Sequence, residues 1–109
     1  MNIKELATKL ELTSVTPLFE RNVSGVYISD MVSDVIANAK AGNVLVTVQV
    51  HVNVVAAANL VDLCAIIVTQ GKKPAPDVVA MATKAEITIL TTDMTRWQLA
   101  TRLYEAGIR

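Results

Sequence analysis

The sequence predicts an α/β fold, with a mostly parallel sheet and helices packed on it, formed by one small domain over residues 1–109. Two observations support this prediction. From residue 25 onward, short stretches typical of buried strands alternate four times with helical patterns, and this alternation is typical of parallel strands joined by right-handed crossovers. The chain is also 52% hydrophobic over 109 residues, which is enough for the core of one domain and too little for two.

The segment before residue 25 is predicted to contain a helix, a short extended stretch and a loop. Asn2 and Glu5 have the spacing of a capping box, and apolar residues then repeat with the helical period. Residues 11–16 favour an extended segment, which Pro17 ends. Residues 17–24 show no periodicity and are interpreted as a loop.

Four strand–helix pairs follow. Strands are predicted at residues 25–28, 43–48, 64–68 and 87–90. Helices are predicted from Ser29-Asp30 to Ala41-Gly42, from about Asn53 to Val61, from Pro76 to Ala85, and from Asp93 to Gly107. The helix at 53–61 is apolar almost all round, so we expect it to be buried on more than one side, in the middle of the core or at a subunit interface.

The composition argues against several classes of protein. Basic and acidic residues balance at 10 each, whereas binding to nucleic acid or to an anionic membrane needs a basic face. No apolar run reaches the roughly 20 residues of a membrane span, and residues 1–12 do not have the pattern of a signal peptide. Cys64 is the only cysteine, and we expect a buried, reduced thiol in a cytoplasmic protein rather than a metal ligand.

Small polar residues follow the carboxyl ends of the four predicted strands. In a parallel sheet these ends lie at one edge, where α/β proteins bind ligands. Each loop also leads into a helix, whose free amide groups and dipole favour an anion. We therefore predict a site for a phosphate-bearing small molecule at this edge, formed by Ser29, Asp30, Gln49, His51, Asn53, Thr69, Gly71, Lys72 and Thr92.

Several polar residues at this edge, including Asp93 after the last strand, also have an ordinary structural interpretation. Asp30, Asn53 and Asp93 precede helices and could act only as N-caps. Gly71 could be a turn residue rather than a position of close approach to phosphate. Lys72 could be a solvated surface lysine. The sequence leaves both interpretations open at each position.

His51, the only histidine, has no catalytic motif around it. The chain contains no Gly-x-x-x-x-Gly-Lys-Ser/Thr phosphate loop, no Gly-x-Gly-x-x-Gly fingerprint and no Gly-x-Ser-x-Gly elbow. No His pair or Cys-x-x-Cys indicates a metal site. A lone histidine is compatible with a general base, a phosphate acceptor or a hydrogen-bonded structural residue. We therefore predict no catalytic residues, no metal ligands and no enzymatic activity.

Three segments resemble the DRTGG domain family. They are residues 23–35 (VSGVYISDMVSDV), 46–53 (VTVQVHVN) and 67–74 (IVTQGKKP), and the likeness extends from the first helix to residues 103–105. The closest resemblance is to small stand-alone members that are similar to the N-terminal domain of HPr serine kinase/phosphorylase. The resemblance implies an α/β domain that is usually dimeric, with a regulatory role in ligand sensing or oligomerisation rather than catalysis.

The motif that gives the family its name is altered in this chain. Its Asp-Arg pair falls at about Val50-His51, and its Thr-Gly-Gly corresponds to Thr69-Gln70-Gly71. The missing arginine removes a bidentate donor for phosphate, which His51 replaces only in part and only when protonated. The threonine and the second glycine are retained.

Three functions follow from these observations. The first is a regulatory homodimer that binds a small phosphate-bearing ligand, with an adenine nucleotide as the candidate and no cofactor. The second is a module for dimerisation or for binding a protein partner through helix 53–61 and the last helix. The third is a phosphotransfer protein that uses His51. We expect the first.

Overall fold

Five strands form one sheet at the centre of the protein, for which a computed structural model describes residues 1–109. The strands are β1 (Thr13–Ser14), β2 (Gly25–Ile28), β3 (Asn43–Thr47), β4 (Ala65–Val68) and β5 (Thr88–Thr91). The helices are α1 (Ile3–Lys9), α2 (Val32–Asn38), α3 (Val52–Val61), α4 (Pro76–Lys84) and α5 (Arg96–Glu105). Most elements lie close to their predicted positions, although α2 is shorter at both ends than the helix predicted from Ser29-Asp30 to Ala41-Gly42. The predicted α/β class is confirmed.

The strand order in the sheet is β1-β5-β4-β3-β2. Strands β2 to β5 run parallel to their neighbours, and β1 runs antiparallel to β5. The sheet is therefore mostly parallel, as predicted. Each connection between parallel strands contains one helix, which is the usual crossover of α/β proteins. As a result, the carboxyl ends of β2 to β5 and the start of β1 all lie at the same edge.

The first strand is shorter than the predicted extended segment at residues 11–16. Regular pairing covers two residues, but the interaction with β5 continues beyond them. The amide of Val15 donates to the carbonyl of Ile89 at 3.0 Å, and the hydroxyl oxygen of Thr16 accepts from the Ile89 amide at 3.0 Å. The Thr16 hydroxyl oxygen thus takes the place of a backbone carbonyl as the acceptor for the Ile89 amide.

Helices cover both faces of the sheet. Helices α1 and α5 pack on one face, and α2, α3 and α4 pack on the other. Because successive side chains of a strand point to opposite faces, Val44 and Val46 of β3 belong to a cluster of 14 buried residues on the first face. Leu45 belongs to a cluster of 13 on the second face. The similar size of the clusters explains why the central strands are continuous apolar runs.

The apolar helix α3 lies in the middle of one helical layer, between α2 and α4. Its buried side chains are Val54, Val55, Ala57 and Ala58. Its outer side remains open to solvent, and Leu60 is 71% exposed. Although α3 is apolar, it has only 10 residues, and no helix of this protein combines the length and the apolar character needed to cross a bilayer.

None of the three residues considered as caps, Asp30, Asn53 and Asp93, is the N-cap of its helix. Asn53 does not cap α3, because His51 is the N-cap and its Nδ1 accepts a hydrogen bond from the Asn53 amide at 3.2 Å. Asp93 does not cap α5, which begins further along the chain. Thr95 is the cap there, and it forms a capping box with Gln98.

Candidate ligand-binding site

A polar pocket of about 360 Å³ opens at the edge where the parallel strands end. It lies over β1, β5 and the loop after β4, between the end of α1 and helix α5. Only 2 of its 11 lining residues are hydrophobic. The charged and hydroxyl side chains that line it are Glu11, Thr13, Lys72, Lys73, Thr91, Thr92, Asp93 and Arg102.

The charged side chains of the pocket are not paired with one another. The two ion pairs of the protein join Arg21 to Asp62 and Arg96 to Asp30, and neither pair involves a pocket residue. The cationic groups of Lys72, Lys73 and Arg102 are exposed and are therefore available to an anion. Two carboxylates, those of Glu11 and Asp93, also line the pocket.

The turn after β4 forms one wall of the pocket. Gln70 and Gly71 both have positive φ angles, of 60° and 70°, and the Lys72 amide donates to the carbonyl of Thr69 at 3.3 Å. Positive φ at both central residues is the signature of a type I′ turn. Gly71 is thus a turn residue, as one of its two interpretations predicts.

The amides of this turn are engaged by the loop after β5. The amide of Gln70 donates to the carbonyl of Met94 at 2.9 Å, and the amide of Gly71 donates to the carbonyl of Thr92 at 3.0 Å. These two donors are therefore not free to surround a phosphate. The charge available to a phosphate at this turn comes from Lys72 and the adjacent Lys73.

Asp30 joins the loop after β2 to the end of β3 and to α5. Its Oδ1 accepts from the Val48 amide and the Thr47 hydroxyl, both at 2.9 Å, and its Oδ2 pairs with Arg96. Partial burial acts to raise the pKa of Asp30, but the hydrogen bonds from Val48 and Thr47 and the charge of Arg96 together lower it. Asp30 therefore does not cap α2, whose N-cap, Met31, makes no side-chain hydrogen bond to the helix.

The remaining predicted residues near β2, β3 and β4 make local contacts. The hydroxyl oxygen of Ser29 accepts from the Met31 amide at 3.2 Å. Gln49 is exposed, and its amide donates to the Thr47 hydroxyl oxygen at 3.1 Å. Thr69 is buried, and its hydroxyl donates to the carbonyl of Thr47 at 3.4 Å.

His51 lies away from the polar pocket. Its exposed ring uses Nδ1 as an acceptor for the Asn53 amide, which places the proton of the neutral ring on Nε2. The cavity beside it measures about 10 Å³ and is lined mainly by hydrophobic residues. That space corresponds to about one water molecule.

The structure thus divides the nine residues predicted to bind a ligand. Gly71, Lys72 and Thr92 line the polar pocket. Outside it lie Ser29, Asp30, Gln49, His51, Asn53 and Thr69. The role of all nine in ligand binding stays a prediction.

Several pocket residues were not predicted from the sequence. Glu11 and Thr13 reach the site because β1 pairs with β5 in the antiparallel direction, which brings the start of β1 to this edge. Arg102 reaches it from α5. No local pattern distinguishes these residues from ordinary surface residues. Lys73 and Thr91, in contrast, are the direct neighbours in sequence of the predicted site residues Lys72 and Thr92. Their adjacency is a signal that could have identified them.

No group of three or more His, Cys, Asp or Glu side chains lies close enough together to hold a metal ion. Cys64 is buried as a free thiol. Burial raises the pKa of this thiol, although the charge of Arg21 acts in the opposite direction. The thiol is therefore poorly suited to act as a thiolate.

Comparisons with known proteins agree with the architecture of the chain. A solved structure of the CBS and DRTGG domains of the regulatory region of Clostridium perfringens pyrophosphatase, in complex with the activator diadenosine tetraphosphate, has a TM-score of 0.71 and 15% sequence identity. The match covers 93% of this chain and 45% of that chain, so this protein spans less than half of the solved region. A search of curated proteins found no match. The sequence model of the DRTGG domain matches residues 5–106, and the chain therefore belongs to the DRTGG domain family.

Proposed function

We propose that this protein is a non-catalytic regulatory domain that binds a small phosphate-bearing ligand, of the nucleotide class, in the polar pocket. The observation that carries the proposal is the presence of three unpaired cations, on Lys72, Lys73 and Arg102, around one pocket. Charged donors of this kind make strong hydrogen bonds to phosphate oxygens. The volume of about 360 Å³ lies within the range of small-molecule sites.

The family and the fold also support a regulatory role. The similar solved structure is a regulatory region, and its activator is a dinucleotide that carries four phosphates. For this chain, we propose an adenine nucleotide as the first ligand to test. The resemblance to the N-terminal domain of HPr serine kinase/phosphorylase and the cytoplasmic location stay predictions.

Isothermal titration calorimetry with ATP, ADP, AMP, diadenosine tetraphosphate and adenosine tests this function. We expect the phosphorylated compounds to bind and adenosine to bind much more weakly, because the cations act on phosphate. The double variant Lys72→Ala/Lys73→Ala is expected to weaken nucleotide binding by about tenfold or more, since hydrogen bonds to charged groups contribute about 1.5–3 kcal/mol.

The matched control removes two other exposed lysines, Lys40 and Lys84, which lie outside the pocket. Lys40→Ala/Lys84→Ala changes the net charge equally, so it should leave the affinity close to that of the original protein. The proposal fails if no nucleotide binds. It also fails if both double variants lose the same affinity, because the effect would then come from net charge alone.

A second candidate function is assembly into a homodimer through the outer face of α5. Trp97 and Tyr104 are 76% and 60% exposed, and they lie two helical turns apart on the same side of α5. Together with Ala100 they line a shallow surface of mainly apolar character. Tryptophan and tyrosine are enriched among the residues that dominate binding at interfaces.

A further inference from the structure

The polar pocket is built on a strand–helix–strand unit. Strand β4, helix α4 and strand β5 follow one another in the chain, and the two strands are adjacent and parallel. The turn with Gly71 comes directly after β4, and Asp93 comes shortly after β5. Asp93 follows Gly71 by roughly 20 residues, which is the separation between the glycine turn and the ribose-binding acid in dinucleotide-binding folds.

Gly71 and Asp93 lie next to each other in space. A methyl group added at Gly71 would come within 3.2 Å of Oδ1 of Asp93, so the carboxylate packs directly over the glycine. Asp93 is exposed and belongs to neither ion pair of the protein. Its oxygens are therefore open to a ligand that enters the pocket.

The charges around the pocket restrict the chemistry of the ligand. A carboxylate only accepts hydrogen bonds, so Asp93 needs hydroxyl or amine donors. Lys72 and Lys73 only donate and favour an anion. The ligand must therefore carry an anionic group near the lysines and donor groups near Asp93, and a ribonucleotide carries both, as a phosphate and a ribose with vicinal hydroxyls.

The position of the phosphate-binding charges differs from that in dinucleotide-binding folds. In those folds the phosphate is bound at the start of the helix that follows the glycine turn. Here α4 begins only at Pro76, and the amides of Gln70 and Gly71 donate to the loop after β5. The two lysines then supply the positive charge that the helix end supplies elsewhere.

We propose that the pocket selects ribonucleotides, with Asp93 accepting hydrogen bonds from the ribose 2′- and 3′-hydroxyls while Lys72 and Lys73 bind the phosphate. This proposal rests on the proposed function and names the ligand class of the same site. It assigns a recognition role to Asp93, for which the sequence left a helix cap and a site residue as alternatives.

Calorimetry with AMP and 2′,3′-dideoxy-AMP tests the proposal, because these probes share the base and the phosphate and differ only in the ribose hydroxyls. The affinity for AMP is expected to be higher than that for the dideoxy compound by about tenfold or more. The reason is that the dideoxy compound cannot donate hydrogen bonds to the charged Asp93 carboxylate. In Asp93→Ala this ratio should fall close to one.

The control variant is Glu86→Gln, which removes one exposed negative charge outside the pocket and should keep the original ratio. If Asp93 acted only by repelling phosphate, Asp93→Ala would bind both probes more tightly and the ratio would stay unchanged, which would overturn the proposal. Equal binding of the two probes by the original protein would overturn ribose selection and leave nucleotide binding intact. Binding of neither probe would overturn the ribose proposal, whereas the proposed function falls only if ATP, ADP and diadenosine tetraphosphate also fail to bind.

Discussion

At the scale of single residues, Asp30 was predicted to bind a ligand, and in the structure its carboxylate forms hydrogen bonds that hold the fold together. One of its oxygens closes the loop after β2 onto Val48 and Thr47, and the other pairs with Arg96. Arg96 begins α5, whereas Asp30 lies in the loop before α2, and these two helices pack on opposite faces of the sheet. The pair therefore links the start of α5 to the loop between β2 and α2.

Replacing Asp30 by Asn should lower the free energy of unfolding by about 1–2 kcal/mol at neutral pH, because hydrogen bonds to a charged group weaken when the charge is removed. The pKa of Asp30 is lowered in the folded protein. Its contribution is therefore present above its ordinary pKa and is lost as the pH falls through the folded-state value. Urea unfolding across the acid range should show the difference from the original protein shrinking in acid.

Glu86→Gln is the matched control for this measurement, since Glu86 is exposed and forms no ion pair. We expect little change in stability at any pH for this variant. A constant difference between Asp30→Asn and the original protein down to the lowest pH would contradict the ionic role of Asp30.

At the scale of elements, helix α5 supports both the fold and the pocket. It contributes Arg102 to the pocket lining and Arg96 to the pair with Asp30. Leu99 and Leu103 on its inner side are fully buried. Its start is fixed by a capping box, in which Thr95 Oγ1 accepts from the Gln98 amide at 3.2 Å and Gln98 Oε1 accepts from the Thr95 amide at 2.9 Å.

Thr95→Ala should therefore lower the free energy of unfolding by about 1 kcal/mol, which is the usual cost of removing a threonine N-cap. Thermal or urea unfolding measures the change. Thr101→Ala provides the control, because the Thr101 hydroxyl donates to the Gln98 carbonyl within the helix at 2.8 Å and has no capping role. An equal loss in both variants would show that the capping box contributes nothing specific.

At the scale of the whole molecule, the two helices predicted to form one interaction surface, α3 and α5, pack on opposite faces of the sheet. Helix α3 exposes Leu60, whereas α5 exposes Trp97 and Tyr104 on one side. The guanidinium of Arg109 lies 4.2 Å from the centre of the Tyr104 ring, so Trp97 is the larger free apolar group. We therefore place the proposed interface on α5.

Trp97→Glu is expected to convert a dimer into a monomer, because it sets a charge into the centre of the proposed apolar contact. Leu60→Glu, which introduces the same charge on α3, should leave the dimer intact. Static light scattering of the three proteins measures the change. A dimer that survives Trp97→Glu and dissociates with Leu60→Glu would move the interface to α3, and an original protein that is a monomer would exclude the dimer.

The sequence by itself determined the layered α/β architecture and the edge at which the candidate site lies. Continuous apolar runs such as residues 64–68 identify buried strands, and alternation with helices requires that parallel strands end together. Gly71, Lys72 and Thr92 could be placed near one another for this reason. Such predictions succeed because hydrophobic periodicity and the order of strands and helices can be recognised directly in the sequence.

The tertiary structure decided which polar residues share the pocket and which are engaged within the protein. Glu11 and Arg102 enter the pocket through the antiparallel pairing of β1 and the position of α5. Asp30 instead pairs with Arg96, and His51 becomes a helix cap beside a cavity of about 10 Å³. These outcomes depend on contacts between residues that are far apart in the chain. Packing fixes the geometry of those contacts, and no periodic pattern in the sequence predicts it.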